Sequence, residues 1–410
     1  MDELSRRKML LAGGALGAFG VLGAAVPAHA RSAWTWAAGG SVAGHGTGTD
    51  PHEAWDDEAD YLLGEVLRRG DVPRVNAALR TWTRNDQPVP DALPADVRDF
   101  MEKARRLPSW ADRDKLETAA GFSKRRSIYH NILNGLGGGM LSTAIPREAR
   151  AVYYSKGGAD MEDRVAKTSK LGFAVGALDA YRPEGICAVE AVKTRMVHAA
   201  VRNLLPGSEG WSDTSGGQTI PISLGDMLVT WHSLATYTMR KMLEWEVPMT
   251  PAESEAYLHV WQVTVHMLGV RDEYIPATWA AANAQSDQLL DPVLGPTREG
   301  VELTDILLRQ LAEQTSLGTH ITRPLVNAFA RYLVGDQVAD WNGIRREPFW
   351  QNTLETVWPL LVKFREGVID LPLVPEIAWT IDEVARQYIL FYLTKGEEIH
   401  IEIPDANRPT

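Results

Sequence analysis

Arg164, Lys167 and Thr168 stand three and four residues apart, and His198 follows 30 residues after Thr168 inside a separate apolar run from Gly185 to Leu205. At helical pitch Arg164, Lys167, Thr168 and Leu171 share one face, so a guanidinium, an ammonium and a hydroxyl are presented together beside an apolar neighbour. His198 lies among Thr194, Val197, Val201 and Leu205, and a neutral imidazole in an apolar wall is a form that binds haem iron. Facing each other, the two runs suggest a haem pocket. Arg195 and Arg202, within about a turn of His198, are cations able to meet haem propionates. Lys167, if it points into that pocket, could coordinate the iron when substrate is absent; a solvated lysine is the alternative. By residue type alone a lone helical histidine is commonly a hydrogen-bonded core residue, and His130, His232, His259 and His266 compete with His198 for any ligand role.

Helices must position these groups, because almost every long segment repeats its apolar residues at helical spacing. Thr250, Pro251 and Glu253 combine an N-cap, a first-turn proline and a capping-box carboxylate, and they open an apolar run that reaches Val270. Leu303, Leu307 and Leu311 make one stripe, and Leu325, Phe329 and Leu333 make another, closed by Gly335. Trp350, Leu354, Trp358 and Leu361 continue the pattern, as do Val384, Tyr388 and Phe391. The alternating tail 398–403 reads as a lone strand added to a mainly helical chain. The glycines of 134–140 superficially resemble a dinucleotide loop, but no strand precedes them, and close approach of backbone to another helix or to haem is the better use. Breaks at 39–50, 85–94, 206–217 and 289–300 are too short for domain linkers, and no internal repeat is present. A single domain over residues 31–410 is expected. Fourteen tryptophans are accounted for by core filling, or in part by the lining of a channel for an apolar ligand.

The first 30 residues bear Arg6, Arg7 and Lys8, then a moderately apolar Gly/Ala-rich stretch, then Ala28 and Ala30 around His29. Those are the marks of a twin-arginine export signal, which carries a folded protein, cofactor included, out of the cell. The chain is acidic, with 42 Lys and Arg against 53 Asp and Glu and a net charge of -11, so it has no electrostatic case for nucleic acid or for stable association with anionic membranes after export. Its one cysteine, Cys187, rules out an internal disulfide and a cysteine-rich zinc or iron–sulfur site, and without a Cys-x-x-Cys-His motif haem would be held noncovalently. Cys187, between Ile186 and Ala188, reads as a buried structural residue. No coiled-coil seam is evident, which leaves a monomer as the expectation.

Arg164, Lys167 and Thr168 with His198, preceded by Arg147, Glu148 and Arg150 and set behind a twin-arginine signal, resemble the latex-clearing proteins over the whole chain. The resemblance implies a globin-like, all-α core with peripheral helices, haem b, and dioxygen-dependent endo-cleavage of the double bonds of poly(cis-1,4-isoprene) to oligomers with aldehyde and ketone ends, outside the cell. It implies that His198 is the proximal ligand, that Arg164 and Thr168 are the family's characteristic pair supporting the haem site, and that Glu148 is a candidate base near the haem. Read from its neighbours alone, Glu148 is equally an ion-pair partner of Arg147 or Arg150. A related haem oxygenase acting on another apolar alkene, or a haem- or oxygen-binding protein without turnover, remain the rival readings.

Overall fold

In the computed structural model, the described residues are 34–408 apart from 216, 219, 314–318 and scattered positions between 369 and 397. The expected export signal, including Arg6 and Arg7, lies outside the described residues. Trp34–Thr410 make one compact unit, and among the described residues no helix is long and apolar enough to cross a membrane.

The architecture is all-α. Its principal helices in chain order are α1 (Asp57–Arg69), α2 (Val72–Thr81), α3 (Ala95–Ala104), α4 (Arg113–His130), α5 (Pro146–Tyr154), α6 (Met161–Val175) and α7 (Cys187–Leu204). They continue with α8 (Leu224–Trp231), α9 (Tyr237–Glu244), α10 (Pro251–Met267), α11 (Trp279–Leu289), α12 (Arg298–Glu313), α13 (Thr319–Trp341) and α14 (Pro348–Val368). Between the described residues only two isolated bridges form, Ser41 with Pro276 and Ser155 with Asn407.

Two helices run through the middle. α7 buries Val189, Val192, Met196, Ala199 and Ala200, and α10 buries residues on every side, from Tyr257 through Val265, as a helix enclosed by others must. The start of α10 is fixed as its sequence requires: Thr250 Oγ1 accepts from the Glu253 N–H, and the Glu253 carboxylate accepts from Thr250. α4 lies along α10. Its backbone leaves helical geometry at Arg126 (φ -120°, ψ 15°), and a π-helical segment, Asn131–Gly138, follows. Two glycines of that segment, Gly137 and Gly138, serve close packing. A Cβ on Gly137 would fall 2.5 Å from the Tyr237 hydroxyl, and one on Gly138 would fall 2.6 Å from Leu234 Cδ2, so the segment can lie against the second π-helical segment, His232–Thr236.

Cys187 is buried, and burial pushes its thiol up to about 12, beside the Tyr181 hydroxyl. It is therefore a protonated structural residue, not a thiolate. Gly335 ends the helical stretch that carries Leu325, Phe329 and Leu333, as expected: the backbone leaves helical geometry there (φ 81°, ψ 163°), and a second helical stretch runs on to Trp341. The tail 398–403 is not a strand. Ile401 and Ile403 are buried, which accounts for the alternation, but the backbone of Ile403 pairs with the Asn76 side chain and the Ile399 carbonyl accepts from Lys170. With side chains as partners, the tail needs no neighbouring strand.

Candidate active site

The site is built where α5, α6, α7 and α8 meet. Ser223 and Asp226 form a capping box at the start of α8, and the Asp226 carboxylate also receives Arg147 from α5, Nε at 2.5 Å and Nη2 at 3.0 Å. Buried and bidentate, this pair clamps the first turn of α5 to α8. One turn along α8, Thr230 donates its hydroxyl to Glu148 Oε1 at 2.7 Å. Glu148 is thus free of both neighbouring arginines, since Arg147 belongs to Asp226 and Arg150 lies toward Glu299 at 3.9 Å. The ion-pair reading of Glu148 does not hold.

Burial dominates the Glu148 carboxyl. It raises the proton affinity to about 8, and the hydrogen bonds from Thr230 and Ser142 and the Arg164 charge only partly offset it, while Asp226 raises it further. Glu148 therefore keeps its proton at neutral pH. Across from it, the Arg164 guanidinium is desolvated, which lowers its pKa, and the Glu148 charge acts in the opposite sense. Burial first, then Arg202 and Arg164, bring the His198 imidazole down to about 3. His198 is neutral over the whole physiological range. All three side chains nevertheless keep partial accessibility, the condition of groups lining an interior recess.

The histidines separate by their partners. His232 is fully satisfied, with Nδ1 to Thr236 at 2.8 Å and Nε2 to Gln285 at 3.0 Å. His259 accepts from the Asp112 N–H and meets Gln262, and His266 pairs with Asp272. These three are structural. Among the described residues, only His198 and His130 have a buried ring nitrogen without a partner, Nδ1 and Nε2 respectively. His130 lies tilted by 30° against the Tyr257 ring with centroids 4.9 Å apart and packs beside Phe122, in the field of Arg126 and Arg365. His198 alone shares its surroundings with Arg164 and, through it, Glu148.

The remaining expected residues are placed differently. Lys167 is paired along its own helix, Nζ to Asp163 Oδ2 at 2.7 Å, so in this conformation its amine is engaged by a carboxylate. Thr168 is exposed. Arg195, expected as a cation for propionates, is already paired in this structure: its guanidinium grips Asp56 at 2.6 and 2.8 Å, lies 3.5 Å from Glu58 and covers the Phe100 ring. It fastens α7 to the start of α1. Arg202 is likewise tied, to Asp60 at 2.6 Å and the Ile222 carbonyl at 2.9 Å, though its Nη2 is buried without a partner. Burial still raises Asp60 to about 6 despite that guanidinium. Thr230, Ser142 and Asp226 escaped notice in the sequence. The signal for two of them was present as a capping box, Ser223 to Asp226, followed by a hydroxyl four residues later on the same face.

Three comparisons bear on this arrangement. The chain is 60% identical over 410 residues, the full length of both proteins, to the rubber oxygenase of Streptomyces sp. (strain K30). A solved structure of latex clearing protein in the closed state superposes with a TM-score of 0.81 at 58% identity, covering 90% of this chain and 99% of that one. Residues 129–364, which span Glu148, Arg164, His198 and Thr230, match the family described as ER-bound oxygenase mpaB/B′/rubber oxygenase, catalytic domain, and the chain belongs to that family.

Proposed function

We propose that the protein is a haem b oxygenase, exported by the twin-arginine route, that cleaves the double bonds of poly(cis-1,4-isoprene) endo-wise with dioxygen and leaves aldehyde and ketone ends. The carrying observation is His198: a neutral imidazole with one enclosed, unpartnered nitrogen, in the field of the Arg164 cation that also faces the carboxyl of Glu148. Such a histidine would suit haem iron as a protein ligand. Full-length identity to a rubber oxygenase supports the substrate.

In this reading His198 would hold the haem iron, and the Arg164 guanidinium and Arg202 Nη2 would offer the bound group positive charge and a donor. Haem, when bound, supplies the capture and activation of dioxygen. Glu148 holds or accepts a proton at its carboxyl, oriented by Thr230 and Ser142. As a base toward an allylic carbon it must first lose its own proton, which places its competent form above about pH 8. Lys167 and Thr168, on the same helix as Arg164, are proposed to reach the site only if the turn around Asp163 rearranges.

Incubation of haem-loaded protein with polyisoprene latex under ¹⁸O₂ tests the proposal. Carbonyl-ended oligomers carrying label at both new ends are expected. Haem-loaded protein that yields no oligomers is a binder, and products from a short alkene alone make it an oxygenase of another substrate.

A further inference from the structure

α14 buries Val362 on its packed face, yet that same face also holds its ion pairs while the opposite one exposes large apolar side chains. Its inner face carries its charge: Glu366 receives Arg126 at 2.8 Å with both side chains buried, and it accepts from the Tyr129 hydroxyl at 2.8 Å. Arg365 donates to the Arg125 carbonyl at 2.7 Å and lies over the Tyr129 ring. Trp358 completes that face against Trp245 and Phe329. The outer face is apolar instead, with Leu360 63% exposed, Leu361 52% and Phe364 70%. Glu355 and Lys363 are the charged residues left outside. Ile377 and Ile381 repeat the pattern one segment later at helical spacing, 57% and 63% exposed, and Glu376 beside them is held by Lys124 of α4. Both segments are therefore fastened through polar groups to the same stretch of α4, residues 124–129, and both turn large apolar side chains to water. A helix that spends its ion pairs on its buried side and its leucines on its exposed side is built to be covered by something apolar.

We propose that this face is the surface through which the protein adsorbs to a neutral hydrocarbon phase, the surface of a bulk polyisoprene particle, and the choice of occupant rests on the function proposed above. Charge selects it. An acidic chain is repelled by anionic lipid, and among the described residues the patch has no cluster of cations to draw such a surface in, whereas an uncharged hydrocarbon asks only for apolar area. A polymer that does not dissolve must be met at its surface before any chain can enter a site.

The test uses haem-loaded, full-length protein and the triple variant Leu360→Ser, Leu361→Ser, Phe364→Ser. All three positions are exposed, so the fold should persist, which retained haem content and Tm verify. Depletion of protein from solution by washed, surfactant-free polyisoprene particles should weaken about tenfold or more in the variant, since each such side chain removed from water contributes about that factor. Adsorption of the wild type should not fall with added salt, and oxidation of a dissolved short isoprenoid alkene should be equal in both proteins. Unchanged adsorption overturns the proposal. So does equal binding to phosphatidylcholine vesicles, or a wild-type dimer in light scattering that the variant abolishes, which would give the face to lipid or to a second copy. Adsorption is read without turnover, so a protein that adsorbs through this face yet makes no oligomers refutes the proposed reaction and not the surface.

Discussion

Glu148→Gln separates the proton chemistry of the site from its architecture. The substitution keeps the size of the side chain and an acceptor for Thr230, and removes the titrating proton. An ordinary glutamate ionises near 4.5, whereas Glu148 does so at about 8. Between those values the unfolded chain has released a proton that the folded chain still binds, so stability is fully present below the lower value and falls as pH rises, by about 1.4 kcal/mol per unit. By pH 7 the wild type has given up about 3 kcal/mol on this account, and the glutamine variant has not. With an unfolding entropy of about 2.1 cal/mol/K per residue, the wild-type Tm should slide about 3–4 °C relative to the variant between pH 5.5 and 7.5. Calorimetry of both proteins across that range isolates the effect, because other buried carboxyls such as Asp60 act equally in each. Oxygen consumption with latex provides the second reading. If the ionised carboxyl accepts a proton in the slow step, about a tenth of the wild type is competent at pH 7, and its rate should climb toward a plateau above pH 8 while the variant stays low throughout. Parallel Tm curves would refute the buried neutral carboxyl, and a pH-independent rate equal in the two proteins would remove Glu148 from the mechanism.

His198→Ala should abolish haem retention and activity together; haem bound with an unchanged absorption spectrum would exclude the histidine as ligand. Arg195→Ala should cost about 3 kcal/mol or more of stability by leaving Asp56 uncompensated, with haem content per folded molecule preserved, and loss of haem at unchanged Tm would return Arg195 to the propionates. Lys167→Ala should change stability by no more than about 1 kcal/mol, as expected of a half-exposed pair along one helix. A shifted resting absorption spectrum in that variant would instead assign the amine to the iron.

The helices were legible because apolar periodicity and capping chemistry are local. Thr250, Pro251 and Glu253 announce α10 within four residues, and the single cysteine beside Ile186 announces its own burial. What periodicity does not carry is direction. Leu361 belongs to the same spacing as Trp350 and Trp358, yet Leu361 is turned to water and Trp358 is packed on Trp245 and Phe329, because the burial of α14 is decided by Arg126 and Tyr129, more than 200 positions away. The tail failed for the same reason: alternation recorded which side chains are buried, and Asn76, not a second strand, satisfies the backbone.

The site divides along that line. Residue type and the family resemblance singled out His198, Arg164 and Glu148, and the fold supplies what distinguishes them from their rivals. His232 and His259 occupy apolar helices as His198 does, but Thr236, Gln285, Asp112 and Gln262 consume their nitrogens. Arg195 has the charge a propionate would need and stands one turn from His198 in sequence, but Asp56, at the start of another helix, pairs with it. Glu148 has arginines on both sides in sequence and neither in space, because Asp226 takes Arg147 and so leaves the carboxyl to Thr230. Each outcome turns on which long-range partner is bound first and best, and an unpaired polar group inside a protein is what remains when every such competition has been settled. The orphaned nitrogen of His198 and the proton held by Glu148 are therefore properties of the whole helical assembly, even though each belongs to a single residue.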